Sequence, residues 1–96
     1  MASIPRRDIE SSLSKKGFEV DEKRDHRFYY FTYKGKRTQI RTKISTGTGH
    51  REYGDPLLHA IQRQLKLTFR EFQDLINCPM SQAQYEDRLK AQQLLT

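Results

Sequence analysis

Apolar positions along this chain recur first at helical spacing, then in a two-residue alternation, then at helical spacing again. Ile9 and Leu13 lie four apart and share one face of a helix predicted over about Pro5 to Lys16. Pro5 suits the first turn, where its missing N–H has no partner to lose. Gly17 suits the left-handed position that ends a helix, with Phe18 folding back onto Leu13 and Lys15 and Lys16 complementing the dipole. Residues 18–22 then alternate as a short strand, and residues 26–33 form a second. Lys34-Gly35-Lys36 reads as a tight hairpin connection, and residues 37–45 form a third strand. On that strand Thr38, Ile40, Thr42 and Ile44 share one face, and Arg37, Gln39, Arg41, Lys43 and Ser45 share the other.

Ser45 to Gly54 reads as a flexible loop; it holds neither GxGxxG nor a Walker lysine, which excludes a dinucleotide or P-loop site. Asp55 and Pro56 open the next helix as N-cap and first-turn proline, with Leu57, Leu58, Ile61 and Leu65 as the apolar stripe. Thr68-Phe69-Arg70-Glu71 is a capping box flanked by a Leu67–Phe72 staple, and the helix it starts is stopped by Asn77-Cys78-Pro79. Ser81-Gln82-Ala83-Gln84 is a second box, with Met80 and Tyr85 as its staple. The last helix, about 82–94, offers only Tyr85 and Leu89 for burial and is expected to be the most loosely held element. The order α-β-β-β-α plus two helices predicts an α+β fold: a three-stranded antiparallel meander with helices on one face. The other face is left open, with the third strand's cations on it.

Composition changes this picture in two ways. At 96 residues the chain is sized for one domain, and its single cysteine, Cys78, excludes an internal disulfide framework and fits a reducing cytosol. No run approaches the roughly 20 apolar residues of a membrane span, and the N-terminus has no signal-like apolar region. The net charge of +6 is unevenly placed. Residues 1–53 carry 13 Lys/Arg against 7 Asp/Glu, whereas residues 54–96 carry 5 of each. Within 23–51 there are nine cations and one acid, Asp25, a local excess that points to a polyanion.

His26 stands between Arg24 and Arg27 at the start of the aromatic strand. RNA cleavage needs a base for the 2′-OH or an acid for the leaving 5′-oxygen, and histidine, with an unperturbed pKa of ~6.5, serves both. One such group supplies roughly 10²–10⁴-fold, which describes a slow nuclease. His50, in the glycine loop, reads as exposed, and His59 as a helix-surface residue. The scattered histidines and lone cysteine do not form a zinc pattern, no metal or cofactor is implied, and Cys78 before Pro79 reads as a packed helix end. Phe28 and Tyr30 share a strand face with His26, whereas Tyr29, Phe31 and Tyr33 share the other with Arg27. Because both faces are aromatic, alternation leaves open which is buried. Packing or partner contact is favoured over base stacking for the exposed set.

These elements form a constellation: a helix ending in Lys15-Lys16-Gly17-Phe18, Asp25-His26 before an aromatic strand, the run Gly35-Lys36-Arg37-Thr38-Gln39-Ile40-Arg41-Thr42-Lys43-Ile44-Ser45, and a helix ending in Arg63-Gln64-Leu65-Lys66-Leu67. Over residues 5–67 it resembles the HicA family of type II toxin–antitoxin systems. The resemblance implies a domain over 1–67 with a double-stranded-RNA-binding-domain-like fold, and a C-terminal helical extension over 68–96. It implies a cytoplasmic, ribosome-independent mRNA endoribonuclease whose active site is covered by a HicB-like antitoxin. His26 matches the family's catalytic histidine, which there follows Gly-Ser and here follows Arg24-Asp25. On this reading Arg24, Arg27, Lys36, Arg37, Arg41 and Lys43 hold the RNA. Two alternatives stand beside it: a non-catalytic double-stranded-RNA-type binding module, and a protein-interaction module using the aromatic strand and the C-terminal helices.

Overall fold

The computed structural model describes residues 3–45, 52–77 and 79–95. In chain order it comprises β1 (Ile4–Pro5), α1 (Arg6–Lys15), β2 (Phe18–Glu22), β3 (His26–Tyr33), β4 (Lys36–Ser45), β5 (Glu52–Tyr53), α2 (Asp55–Gln64), α3 (Phe69–Ile76) and α4 (Gln82–Ala91). The fold is α+β: an antiparallel sheet ordered β2-β3-β4, four helices, and a two-residue antiparallel pairing of β1 with β5. That small pairing lies where the sequence predicts a helix start and a loop. Pro5, at φ −58 and ψ 136, is extended rather than helical and pairs with Glu52. Tyr53 is buried there, and its hydroxyl binds both the N–H and the carbonyl of Ser45, at 2.8 and 2.9 Å.

The meander is built by its turns. Gly17 ends α1 at φ 93, a left-handed value natural to glycine, and a Cβ there would stand 2.5 Å from the Gln82 side chain. Lys34 and Gly35 both have positive φ, which a two-residue type I′ hairpin turn demands. Between Tyr30 and Thr32 the register shifts, so that Phe31 lies opposite the Thr38–Ile40 stretch of β4. The bulge is satisfied internally: the Thr38 hydroxyl donates to the Phe31 carbonyl at 2.7 Å and accepts from the Ile40 N–H at 3.1 Å. Its two extra residues leave Arg37 and Arg41 on the same face.

The inner face of the sheet (Tyr29, Phe31, Ile40 and Ile44) joins buried residues of all four helices in one apolar cluster. Leu58, Ile61 and Leu65 are buried as predicted, but Leu57 is 43% exposed and does not belong to the α2 stripe. The N-cap of α2 is Gly54 rather than Asp55, which enters the first turn. Both capping boxes are formed, Thr68 with Glu71 and Ser81 with Gln84. The cluster runs across the 67/68 boundary, and α4 is anchored within it rather than loosely held. Tyr85 is fully buried, lies 4.9 Å from Phe31 and 5.7 Å from Phe18 (ring centroids), and donates to the Leu65 carbonyl at 2.8 Å. Lys16 does not serve the end of its own helix. Its buried ammonium crosses to the Leu75 and Met80 carbonyls, while the Ser12 hydroxyl donates to the Ile76 carbonyl at 2.7 Å, so α1 caps the end of α3.

Candidate nucleic-acid interface

Strand alternation and the position of the helices define an uncovered face. Since Tyr29 and Phe31 point into the core, His26, Phe28 and Tyr30 point outward, half-buried among their neighbours. His26 is opposite Ser45, Phe28 opposite Lys43, and Tyr30 opposite Arg41. On the other flank Asp21 lies opposite Phe28 and Glu19 opposite Tyr30. The face is therefore graded: acids on β2, rings on β3, cations on β4.

The rings run as a continuous stripe. The His26 ring meets Phe28 edge-on with centroids 5.0 Å apart, and Phe28 and Tyr30 are 6.3 Å apart. Arg37 lies 4.6 Å above the Tyr30 ring, and Arg41 5.4 Å from Phe28 and 5.9 Å from Tyr30, with its Nη1 donating to the Tyr30 hydroxyl at 3.4 Å. These stacked guanidinium groups keep Phe28 and Tyr30 half-covered although no helix lies over them.

The six cations assigned from sequence do not stay together. Arg27 lies apart from the others: one residue along from His26, it projects from the opposite face. There its Nη1 meets Glu10 at 2.8 Å and its Nε meets Glu22 at 3.2 Å. The hydrogen bond to Glu10, reinforced by that carboxylate's charge, raises the Arg27 pKa above the ordinary guanidinium value. Glu10 also accepts from the Tyr29 hydroxyl at 2.7 Å. Burial first, and that carboxylate second, push the Tyr29 hydroxyl up from its ordinary value. Arg37 is on the open face, and its charge is answered there by Glu19 at 2.6 Å and Asp21 at 3.6 Å. Arg41 and Lys43 are exposed and have no carboxylate partner among the described residues. Arg24 and Lys36 are exposed near the two ends of β3: Arg24 in the turn closed by the Lys23 N–H to the His26 carbonyl at 2.8 Å, Lys36 beyond the type I′ turn.

His59 has the helix-surface role expected of it, stacking on Phe69 at 4.3 Å and meeting Gln62 at 3.2 Å. His50 and Cys78 lie outside the described residues. Among the described residues no group of three or more His, Cys, Asp and Glu is placed to hold a metal ion, and no helix is long and apolar enough to cross a membrane. Sequence reasoning passed over Lys66, which faces β4 from just beyond α2 and lines two surface cavities with it. No local pattern marks it, because its neighbours there lie more than twenty residues away.

The class this architecture defines is a small α+β protein with a three-stranded antiparallel sheet, one face buried under helices and one open. Set against known proteins, the chain matches no family model, no curated protein and no solved structure.

Proposed function

We propose that this protein is a HicA-like RNA-binding protein that cleaves mRNA, with His26 as its general acid/base. The observation that carries the reading is the placement of His26, Phe28, Arg41 and Lys43 together on the sheet face that, among the described residues, no helix covers. A phosphate chain held by Arg41 and Lys43 passes within reach of the β3 end where His26 is paired with Ser45. Arg24 and Lys36 extend the positive field at either end. The order of elements from α1 through α2 suits the double-stranded-RNA-binding-domain-like fold that the resemblance implies. A HicB-like antitoxin, acidic and seated on this face, would screen both the cations and the histidine. In the cell this is a cytoplasmic activity.

The test pairs growth arrest on induction with cleavage of RNA by the purified protein. His26→Ala abolishes both while the circular dichroism spectrum stays that of the parent; full activity in that variant would sink the catalytic assignment. The alternative, a non-catalytic RNA-binding module, draws on one observation. Among the described residues no second acid or base is hydrogen-bonded to His26, and the face's own carboxylates are engaged by Arg37. It predicts unchanged, salt-dependent RNA binding in His26→Ala and no cleavage by either protein.

A further inference from the structure

β4 is an edge strand, and a groove runs along its outer side. Two cavities of about 430 and 330 Å³ form it, and they share Gln39 and Lys66. One bank is β4 itself, contributing Lys36, Arg41 and Lys43 beside Arg37, whose charge is engaged by Glu19 and Asp21; the other bank includes Lys66. Among the described residues, no Asp or Glu lines either cavity. Three other surface cavities include acids: Asp74 and Asp87 in one, Glu52 in another, and Glu71 in a third that Lys66 borders from its far side. The groove thus differs in charge from those three cavities, and it coincides with the β4 bulge, where Gln39 lines both of its cavities.

We propose that this groove holds a single strand of RNA, with Lys66 as a phosphate contact on the bank opposite the β4 cations. The proposal rests on the RNA-binding reading above and adds to it a path, a further binding residue and a strand state. Cations on both banks suit a backbone lying within the groove rather than one touching a convex surface. Cavities of this volume are of the size that takes a small-molecule-sized unit, such as one nucleotide, and not a two-stranded helix. Phe28 lines the same cavity as Arg41 and Lys43. A ring beside cations is the arrangement on which an unpaired base stacks while its phosphate is neutralised, and a base held in a duplex cannot reach it. Lys66 is held at φ 65, and its carbonyl is fastened by the Gln92 amide at 2.7 Å, so its backbone is fixed by α4 rather than by the groove.

The experiment is a fluorescence-anisotropy titration of a labelled ten-nucleotide RNA, as a single strand and as a duplex. Both are 2′-O-methylated so that no 2′-OH is available for cleavage, and the salt is varied from 50 to 200 mM. The wild type binds the single strand more tightly than the duplex. Lys66→Gln removes the charge while keeping a flexible polar side chain, and weakens single-strand binding several-fold. It also makes the slope of log affinity against log salt shallower by about 0.7, the loss of one phosphate contact on a single strand. Lys66→Arg restores both, Lys36→Gln shifts both in the same direction as Lys66→Gln, and Arg70→Gln, outside the groove, shifts neither. If the wild type binds RNA but Lys66→Gln and Lys36→Gln match it in affinity and slope, or if the duplex is preferred, the groove assignment is overturned and the RNA-binding reading stands. If the wild type binds neither RNA, both fall together.

Discussion

The two faces of β3 are made from nearly the same residues and have opposite fates. Inward, Tyr29 and Phe31 are almost wholly buried; outward, Phe28 and Tyr30 keep part of their surface in solvent under a cover of guanidinium groups. Arg27 and Arg41 make the same point for charge. The inward one is fastened to Glu10 and Glu22, and the outward one carries its charge with no acid opposite it. An aromatic or an arginine on a strand thus acquires its role from what lies over its face. Where helices cover the sheet, rings supply apolar burial and cations are neutralised; where nothing does, the same types remain available to a ligand.

The sharpest way to break this comparison is to truncate one ring on each face. Phe31→Ala lowers unfolding stability in urea by about 3–5 kcal/mol, the cost of a large void in a core. Phe28→Ala costs no more than about 1 kcal/mol. Equal losses would show that the two faces are not energetically distinct.

A second test uses pH. Tyr29, Tyr53 and Tyr85 all have hydroxyl pKa values raised chiefly by burial. Below pH ~10 these groups are protonated whether the chain is folded or unfolded, and their contribution is fully present. Above it the unfolded chain loses its protons first, so it binds fewer than the folded state and stability falls as pH rises. Each tyrosine contributes up to about 1.4 kcal/mol per pH unit to that fall. Tyr85→Phe costs about 1–2 kcal/mol at pH 7, because the Leu65 carbonyl loses its donor. It also makes the decline between pH 10 and 12 shallower by one proton's worth. A melting series over pH 9–12 that shows the parent slope in Tyr85→Phe contradicts this account.

The smallest effects concern the arginines. Arg41→Ala reduces RNA affinity several-fold and makes its salt dependence shallower by about 0.7 in log–log slope, whereas Arg27→Ala lowers thermal stability and leaves RNA binding at the parent level. Replacing both acids, Glu19→Gln with Asp21→Asn, frees Arg37 and tightens binding a few-fold at low salt; the exposed ion pairs removed contribute ~0–1 kcal/mol to stability. Loss of RNA affinity in Arg27→Ala equal to that in Arg41→Ala would erase the distinction between the faces.

Much of this was legible in the residues themselves. The positive-φ glycines, the two capping boxes, the three strands and the polar face of β4 follow from local rules, because a turn, a cap or an alternation involves residues a few positions apart. The β1–β5 pairing was not legible, since two residues carry no periodicity and their partners are almost fifty positions away. Nor was the buried reach of Lys16 to α3, the pairing of Arg37 with Glu19 and Asp21, or the position of Lys66 across from β4.

The sequence by itself determined the order of the four helices and the three strands of the main sheet, the hairpins, and which residues of each of those strands share a face. Only the tertiary structure decided which of the two aromatic faces is the core and which cations remain unpaired. Alternation is symmetric between faces: it sorts side chains into two sets but does not name the inner one, and charge along the chain does not reveal which acid will stand opposite. Packing the helices against Tyr29 and Phe31 resolved both questions at once, and left His26, Phe28, Arg41 and Lys43 on the side facing solvent.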